Sequence, residues 1–177
     1  RSTSVPGSRG RALNPVKVGL LGLGTVGGGT LNVLVRNAAE IARRAGREII
    51  VAHAAAREFN AQGLEGIDQV SVTDDAFAVV NDPEIDIVVE LIGGYSPARE
   101  LVLQAIENGK HVVTANKALI AVHGDEIFEA AKTQGVTVAF EAAVAGGIPI
   151  IKAVREGLAA NHIEWIAGII NGTGNFI

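Results

Sequence analysis

Cysteine is missing from all 177 residues. Disulfides, thiolate nucleophiles and cysteine-ligated zinc sites are thereby removed together, and the composition fits a reducing compartment. An excess of basic charge is missing too: 15 Lys and Arg stand against 19 Asp and Glu, a net charge of -4. With no basic stripe to offset it, that balance argues against non-specific nucleic-acid binding. No apolar run reaches the length of a membrane span, because a polar residue or a glycine interrupts each one. The histidines, His53, His111, His123 and His162, lack metal-ligand spacing and read as structural residues. There is no Ser-His-Asp order, no paired-carboxylate pattern and no repeat of solenoid length.

What is present is a globular chain, 48% hydrophobic and 19% charged, long enough for one well-buried α/β domain and the start of another. Arg1 to Asn14 is rich in Ser, Gly and Arg and has no apolar core like that of a signal peptide. It reads as a disordered arm or a tag remnant, and the fold is expected to begin near Pro15.

The most informative stretch runs from Val16 to Gly29. Val16 to Leu21 is a mostly apolar run that predicts a buried strand, and it stops at Gly22. Gly22, Gly24 and Gly27 then stand in G-x-G-x-x-G spacing ahead of a helical pattern. In a dinucleotide site the first glycine makes the turn, the second admits the pyrophosphate and the third lets helix and strand pack closely. The helix N-terminus adds unpaired amides and the positive end of a dipole. The alternative is a glycine-rich turn without a ligand.

A helix is expected from Thr25 to Ala45, with Val26, Leu31, Leu34, Val35, Ala38 and Ile41 close to the 3.6-residue period and Gly46 as its stop. Ile49 to Ala56 predicts a second, largely buried strand, followed at once by Arg57. The residue at that position reads the adenosine ribose, and an Arg there favours the 2′-phosphate of NADP. Glu58 follows directly and keeps NAD open, as does the plain reading of Arg57 as a surface residue.

Further on, Asp68 to Val72 is a strand candidate, and Thr73, Asp74 and Asp75 look like a cap for a helix from Ala76 to Val80. Ile85 to Ile92 predicts a strand that ends in Gly93, Gly94, Tyr95, Ser96 and Pro97, with Ser96 placed to cap the next helix, Pro97 to Asn108. His111 to Ala115 is a strand that delivers Asn116 and Lys117 to the carboxyl edge. His123 and Gly124 are expected in a loop before a helix from Asp125 to Lys132, which Gly135 closes. Val136 to Phe140 is a further strand, a helix is expected from Pro149 to about Ala160, and Ile163 to Ile170 is a last strand that buries Trp165. Repeated strand–helix alternation predicts a Rossmann-type, doubly wound α/β fold with a mostly parallel sheet. Ligands of such sheets bind beyond the carboxyl ends of the strands, and Lys117 is the only cation besides Arg57 at those turns. Its ammonium could orient a carbonyl substrate or bond a cofactor ribose; the plain alternative is an exposed lysine.

Four stretches in this order resemble homoserine dehydrogenase: Gly22 to Gly27, Thr114-Ala-Asn-Lys-Ala118, Glu141-Ala-Ala-Val-Ala-Gly-Gly-Ile-Pro149 and Asn171-Gly-Thr-Gly-Asn-Phe176. The likeness covers about Pro15 to Ile177. It implies reversible, NAD(P)-dependent interconversion of L-aspartate 4-semialdehyde and L-homoserine, on the route to threonine and methionine. A cytoplasmic enzyme, homo-oligomeric at full length, follows from the same resemblance.

By residue, the resemblance implies that Lys117 stands at the nicotinamide and the substrate. Leu23, Thr25 and Val26 would present backbone to the pyrophosphate, and Ser96 would lie on the nicotinamide side. A monovalent cation, sodium or potassium, would be held mainly by carbonyls of Glu141, Val144, Gly146 and Ile148. The division implied is residues 1–14 as an arm, 15–149 as the NAD(P)-binding domain and 150–177 as the opening of a catalytic and dimerisation region. Family enzymes continue into a region with substrate-binding acids and a second lysine. The expectation is therefore that this chain binds NADP(H) and turns over little. Two other readings stay open: another amino-acid dehydrogenase on the same scaffold, such as an aspartate dehydrogenase, and a non-catalytic NAD(P)-binding module.

Overall fold

The computed structural model describes residues 14–144 and 148–165. Its strands are β1 (Val16–Leu21), β2 (Ile49–Ala55), β3 (Ser71–Thr73), β4 (Ile87–Glu90), β5 (His111–Thr114) and β6 (Val138–Ala139). They lie in one sheet in the order β3-β2-β1-β4-β5-β6, and every neighbouring pair is parallel. The chain winds from β1 out to β3, then crosses back to start its second half at β4. β1 and β4 therefore flank the switch point, where an open parallel sheet leaves a crevice beyond its carboxyl ends.

Two apolar layers hold the sheet. On one face α3 (Ala76–Asn81), α4 (Ala98–Glu107) and α5 (Lys117–Gln134) pack against Leu21, Ala55, Val88, Val112 and Val138. The sequence of α4 explains its docking: Ala98, Leu101, Val102, Ala105 and Ile106 recur at three- and four-residue steps, and all are buried. Each such leucine or isoleucine contributes roughly 1.5–3 kcal/mol by leaving water. On the other face Val18, Leu20 and Ala54 meet Leu23 and Leu31, the latter on α1 (Thr25–Arg36), with Leu64 and Ile67 packed alongside.

Several expected elements are corrected. The first helix is two, because Asn37 leaves helical geometry (φ -103°, ψ 16°) between α1 and α2 (Ala38–Ala45). Its apolar period held only in part: Leu31 is buried with Gly27 and Gly28, while Val26 and Val35 of the expected stripe face outward. Gly27 comes so close to the turn after β1 that a β-carbon there would meet the Gly22 carbonyl, and Leu31 is the large apolar residue that α1 packs against the sheet. Gly46 does end α2, as expected. β2 is only partly buried, β4 and β6 are shorter than their apolar runs, and a 3-10 turn, Ile67–Gln69, precedes β3.

His123 and Gly124 lie inside α5 and not in a loop. Asn116 starts that helix by accepting from the Leu119 amide at 3.1 Å, and Gly124 sits against Phe128, so the pattern carries through the glycine. Ser96 does not cap α4. The cap position belongs to Pro97, joined to Ser96 by a cis bond, and no side chain caps the helix there. Beyond Pro149 only Ile150–Lys152 is α-helical (α6), and a wider turn follows in which the Leu158 amide donates to the Ala153 carbonyl at 3.0 Å. Residues 162–165 have no regular structure and Trp165 is exposed; the rest of the expected last strand lies outside the described residues.

Candidate functional site

Beyond the carboxyl ends of β1, β2 and β4 lies a cleft of about 620 Å³. Gly22, Leu23 and Gly24 form its mouth, Ala55, Ala56, Arg57 and Glu58 one wall, and Asp74, Asp75 and Phe77 another. Leu91, Ile92 and Pro97 close it on the side of β4.

The mouth is shaped by backbone. The Gly22 amide donates to the Ala55 carbonyl at 2.8 Å, and the residue then turns with φ +105°, a conformation side chains disfavour. Gly24 occupies the N-cap of α1 without a side-chain cap, and a β-carbon there would meet nothing within 4 Å. The amides of Thr25, Val26 and Gly27 open the helix and have no carbonyl one turn back to receive them. Thr25 and Val26 are exposed on that first turn, whereas Gly27 is buried behind it. Free amides, a positive dipole end and a bare glycine form a cradle that suits a diphosphate.

Arg57 is exposed and makes no side-chain hydrogen bond or ion pair among the described residues, which leaves its guanidinium available to a ligand. Among the described residues it is the one cation lining the cleft, against the acids Glu58, Asp74 and Asp75. Asp75 is partly occupied: it caps α3 by accepting from the Phe77 amide at 2.8 Å. The aspartates and Phe77 escaped sequence reasoning as cleft residues, because their capping role gave no hint that β3 ends beside β2.

Ser96 and Lys117 lie outside the lining of that cleft, on the loops that follow β4 and β5 along the same edge. Lys117 is the first residue of α5, exposed and without an ion-pair partner among the described residues. Next to it, three polar residues tie the two loops together. Glu90 is fully buried; its Oε1 accepts from the amides of Ile92 (2.9 Å) and Gly93 (3.1 Å) and its Oε2 from the Thr114 hydroxyl (2.7 Å). Asn116 Nδ2 donates to the Gly94 carbonyl at 2.6 Å. Sequence reasoning missed Glu90, although an acid closing the run Ile87-Val-Val-Glu90 was a visible signal.

Of the cation-loop residues, Gly146 lies outside the described residues. The Glu141 carbonyl accepts from the Val144 amide (3.3 Å) and the Ile148 carbonyl from the Ile150 amide (2.8 Å), so each keeps one lone pair for another donor or a cation. The Glu141 carboxylate instead faces α6, accepting from the amides of Ile151 and Lys152, both at 3.0 Å. Among the described residues no cluster of three or more His, Asp or Glu could hold a metal, and no helix is long and apolar enough to cross a membrane.

A second cavity, about 690 Å³, lies at the amino ends of the strands and is lined by Arg47, Asp86, Lys110 and His111. Its buried amine is already spent on structure: Lys110 Nζ donates to the carbonyls of Asp82 (2.6 Å) and Ile85 (2.9 Å). The chemistry therefore belongs to the carboxyl edge.

Strand order, glycine turn and amide-rich mouth define a dinucleotide-binding domain. A family model described as "Homoserine dehydrogenase, NAD binding domain" matches residues 22–141, and one described as "Homoserine dehydrogenase" matches residues 149–177. The chain belongs to the homoserine dehydrogenase family. It is 71% identical, over 93% of its own length and 38% of the relative's, to the homoserine dehydrogenase of Pseudomonas aeruginosa. The crystal structure of a homoserine dehydrogenase from Thiobacillus denitrificans matches with a TM-score of 0.86 at 69% identity, covering 93% of this chain and 38% of that one. A hyperthermophilic archaeal homoserine dehydrogenase in complex with NADPH matches with a TM-score of 0.67 at 26% identity, over 83% of this chain and 50% of that one. The chain thus spans about two-fifths of the length of the curated relatives it matches.

Proposed function

We propose that this chain is the cofactor-binding portion of a homoserine dehydrogenase that interconverts L-aspartate 4-semialdehyde and L-homoserine in threonine and methionine biosynthesis. The observation that carries the reading is the amide-rich mouth at Gly22–Gly27 opening into the same cleft as Arg57. Gly22, Leu23, Gly24, Thr25, Val26 and Gly27 receive the pyrophosphate, and Arg57 takes the adenosine 2′-phosphate, so the preferred cofactor is NADP. An archaeal relative captured with NADPH supports that choice.

When bound, the nicotinamide supplies hydride exchange with the aldehyde carbon. Lys117 polarises the aldehyde oxygen as its negative charge develops, and Ser96 lies against the nicotinamide side. The domain covers residues 15–149, with residues 150–177 opening the catalytic and dimerisation region. A sodium or potassium ion would be held mainly by carbonyls of Glu141, Val144, Gly146 and Ile148, as the family resemblance implies. The full-length enzyme is a cytoplasmic homo-oligomer.

Parallel titrations of the 177-residue chain with NADPH and NADH test the reading. NADPH binding is expected, with little or no reduction of L-aspartate 4-semialdehyde by the bound cofactor. Failure of both cofactors to bind would remove the dehydrogenase reading, and robust turnover would overturn the assignment of substrate groups to a region beyond this chain.

A further inference from the structure

Glu90 is a carboxylic acid with no exposed surface, at the carboxyl end of β4, and neither the pyrophosphate mouth nor the reach of Lys117 accounts for it. Buried acids are rare unless their oxygens are satisfied, and an apolar residue would fill the same space without that demand. Here every partner lies at the ligand side, two amides on the loop after β4 and one hydroxyl at the end of β5. Oε1 holds the amides of Ile92 and Gly93, and Oε2 holds the Thr114 hydroxyl. Thr114, which pairs in register with Glu90 across β4 and β5, accepts in turn from the Asn116 amide at 3.0 Å. Asn116 closes the circuit by donating to the Gly94 carbonyl while its Oδ1 caps α5 at Leu119.

The circuit runs through a glycine pair on this edge. Gly93 and Gly94 are consecutive glycines with φ of +81° and +73°. Left untied, such a pair samples many conformations and must be ordered each time a ligand binds. Lys117 immediately follows Asn116, so a shift of the cap moves the lysine with it.

We propose that Glu90 is a positioning residue: through Thr114 and Asn116 it joins the Gly93–Gly94 turn to the first turn of α5, so the wall facing the nicotinamide half of the cofactor is in place before ligand arrives. The proposal rests on the reading of this edge as a nicotinamide-cofactor site. Preorganisation of this kind raises affinity by removing an ordering cost, and it acts only on the part of the ligand that the ordered wall touches.

That locality supplies the test. The 177-residue chain is titrated with whichever reduced cofactor the wild type holds and, separately, with the adenine half alone, adenosine 2′,5′-bisphosphate for NADPH or ADP for NADH. Thr114→Val removes the hydroxyl at nearly constant shape. Asn116→Ser keeps a cap oxygen and removes the donor to Gly94 without adding charge. Both variants should lose on the order of tenfold in affinity for the whole cofactor, with affinity for the adenine half unchanged within about twofold and Thr114→Ser restoring wild-type binding. Should Thr114→Val not fold, Asn116→Ser decides. Parallel loss of both ligands, no loss of either, or failure of the serine to rescue overturns the proposal. Absence of any binding by the wild type overturns the cofactor reading instead.

Discussion

A β-carbon placed on Gly27 would stand 1.9 Å from the carbonyl oxygen of Gly22. The first turn of α1 and the end of β1 are therefore in backbone contact, and no side chain fits between them. Gly24, three residues earlier in the same motif, has open space where its β-carbon would go.

That contrast separates fold from ligand. Gly27→Ala should force α1 away from the sheet and cost at least about 1–3 kcal/mol, the usual penalty of overpacking, seen as a lower urea midpoint. Gly24→Ala should leave the midpoint nearly unchanged and weaken NADPH binding, because its methyl group enters the pyrophosphate cradle. Undiminished binding in Gly24→Ala would show that no ligand approaches that backbone.

Arg57→Asp should weaken NADPH by tenfold or more, since a hydrogen bond to a charged group contributes roughly 1.5–3 kcal/mol. NADH binding should change little or improve, because the new carboxylate suits a ribose 2′-hydroxyl. Isothermal titration of both cofactors measures the switch. An equal effect on the two would remove Arg57 from the 2′-phosphate site.

Stability in acid should depend on Asp82. The amide of Glu84 holds its carboxyl below the ordinary value of 3.8, with His53, whose Nδ1 lies 2.9 Å away, and Lys110 adding to the effect. Below that ordinary value the unfolded chain binds the extra proton first. The stabilisation is thus complete above it and is lost as pH falls through the folded value. Asp82→Asn should lower the Tm at pH 7 and flatten its decline between about pH 5 and pH 3. An unchanged slope would show that other carboxylates dominate the acid limb.

Glu141→Ala should free the amides of Ile151 and Lys152, and hydrogen exchange there should accelerate by an amount matching about 1 kcal/mol, the usual worth of a helix cap. Glu141→Gln should lose only part of this protection. If potassium or sodium binds through the Glu141 carbonyl, its effect on stability should survive both substitutions. Loss of the ion effect in Glu141→Gln would assign the cation to the side chain.

The part of the site legible in the sequence was the part made by short-range rules. Strand–turn–helix at Val16 to Leu31, the Asp75 cap and the stops at Gly46 and Gly135 each depend on a few neighbouring residues, and each appears where expected. The misreadings share a cause. The valines of α1 face outward, because the decisive contacts are Gly27 against the Gly22 backbone and Leu31 against the sheet. His123 and Gly124 looked like a loop because one glycine was weighed locally, while burial of α5 along its length carries the helix through it.

The order of glycines after a strand, with an arginine closing the next strand, was determined by the sequence alone, because both depend on position along one chain. Tertiary structure decided which side chains share a space. Glu90 and Thr114 are 24 residues apart and meet only because β4 and β5 pair in one register. Asp74 reaches the cleft only because β3 lies beside β2. Register and strand order arise from the summed packing of both sheet faces, a quantity that no local pattern contains.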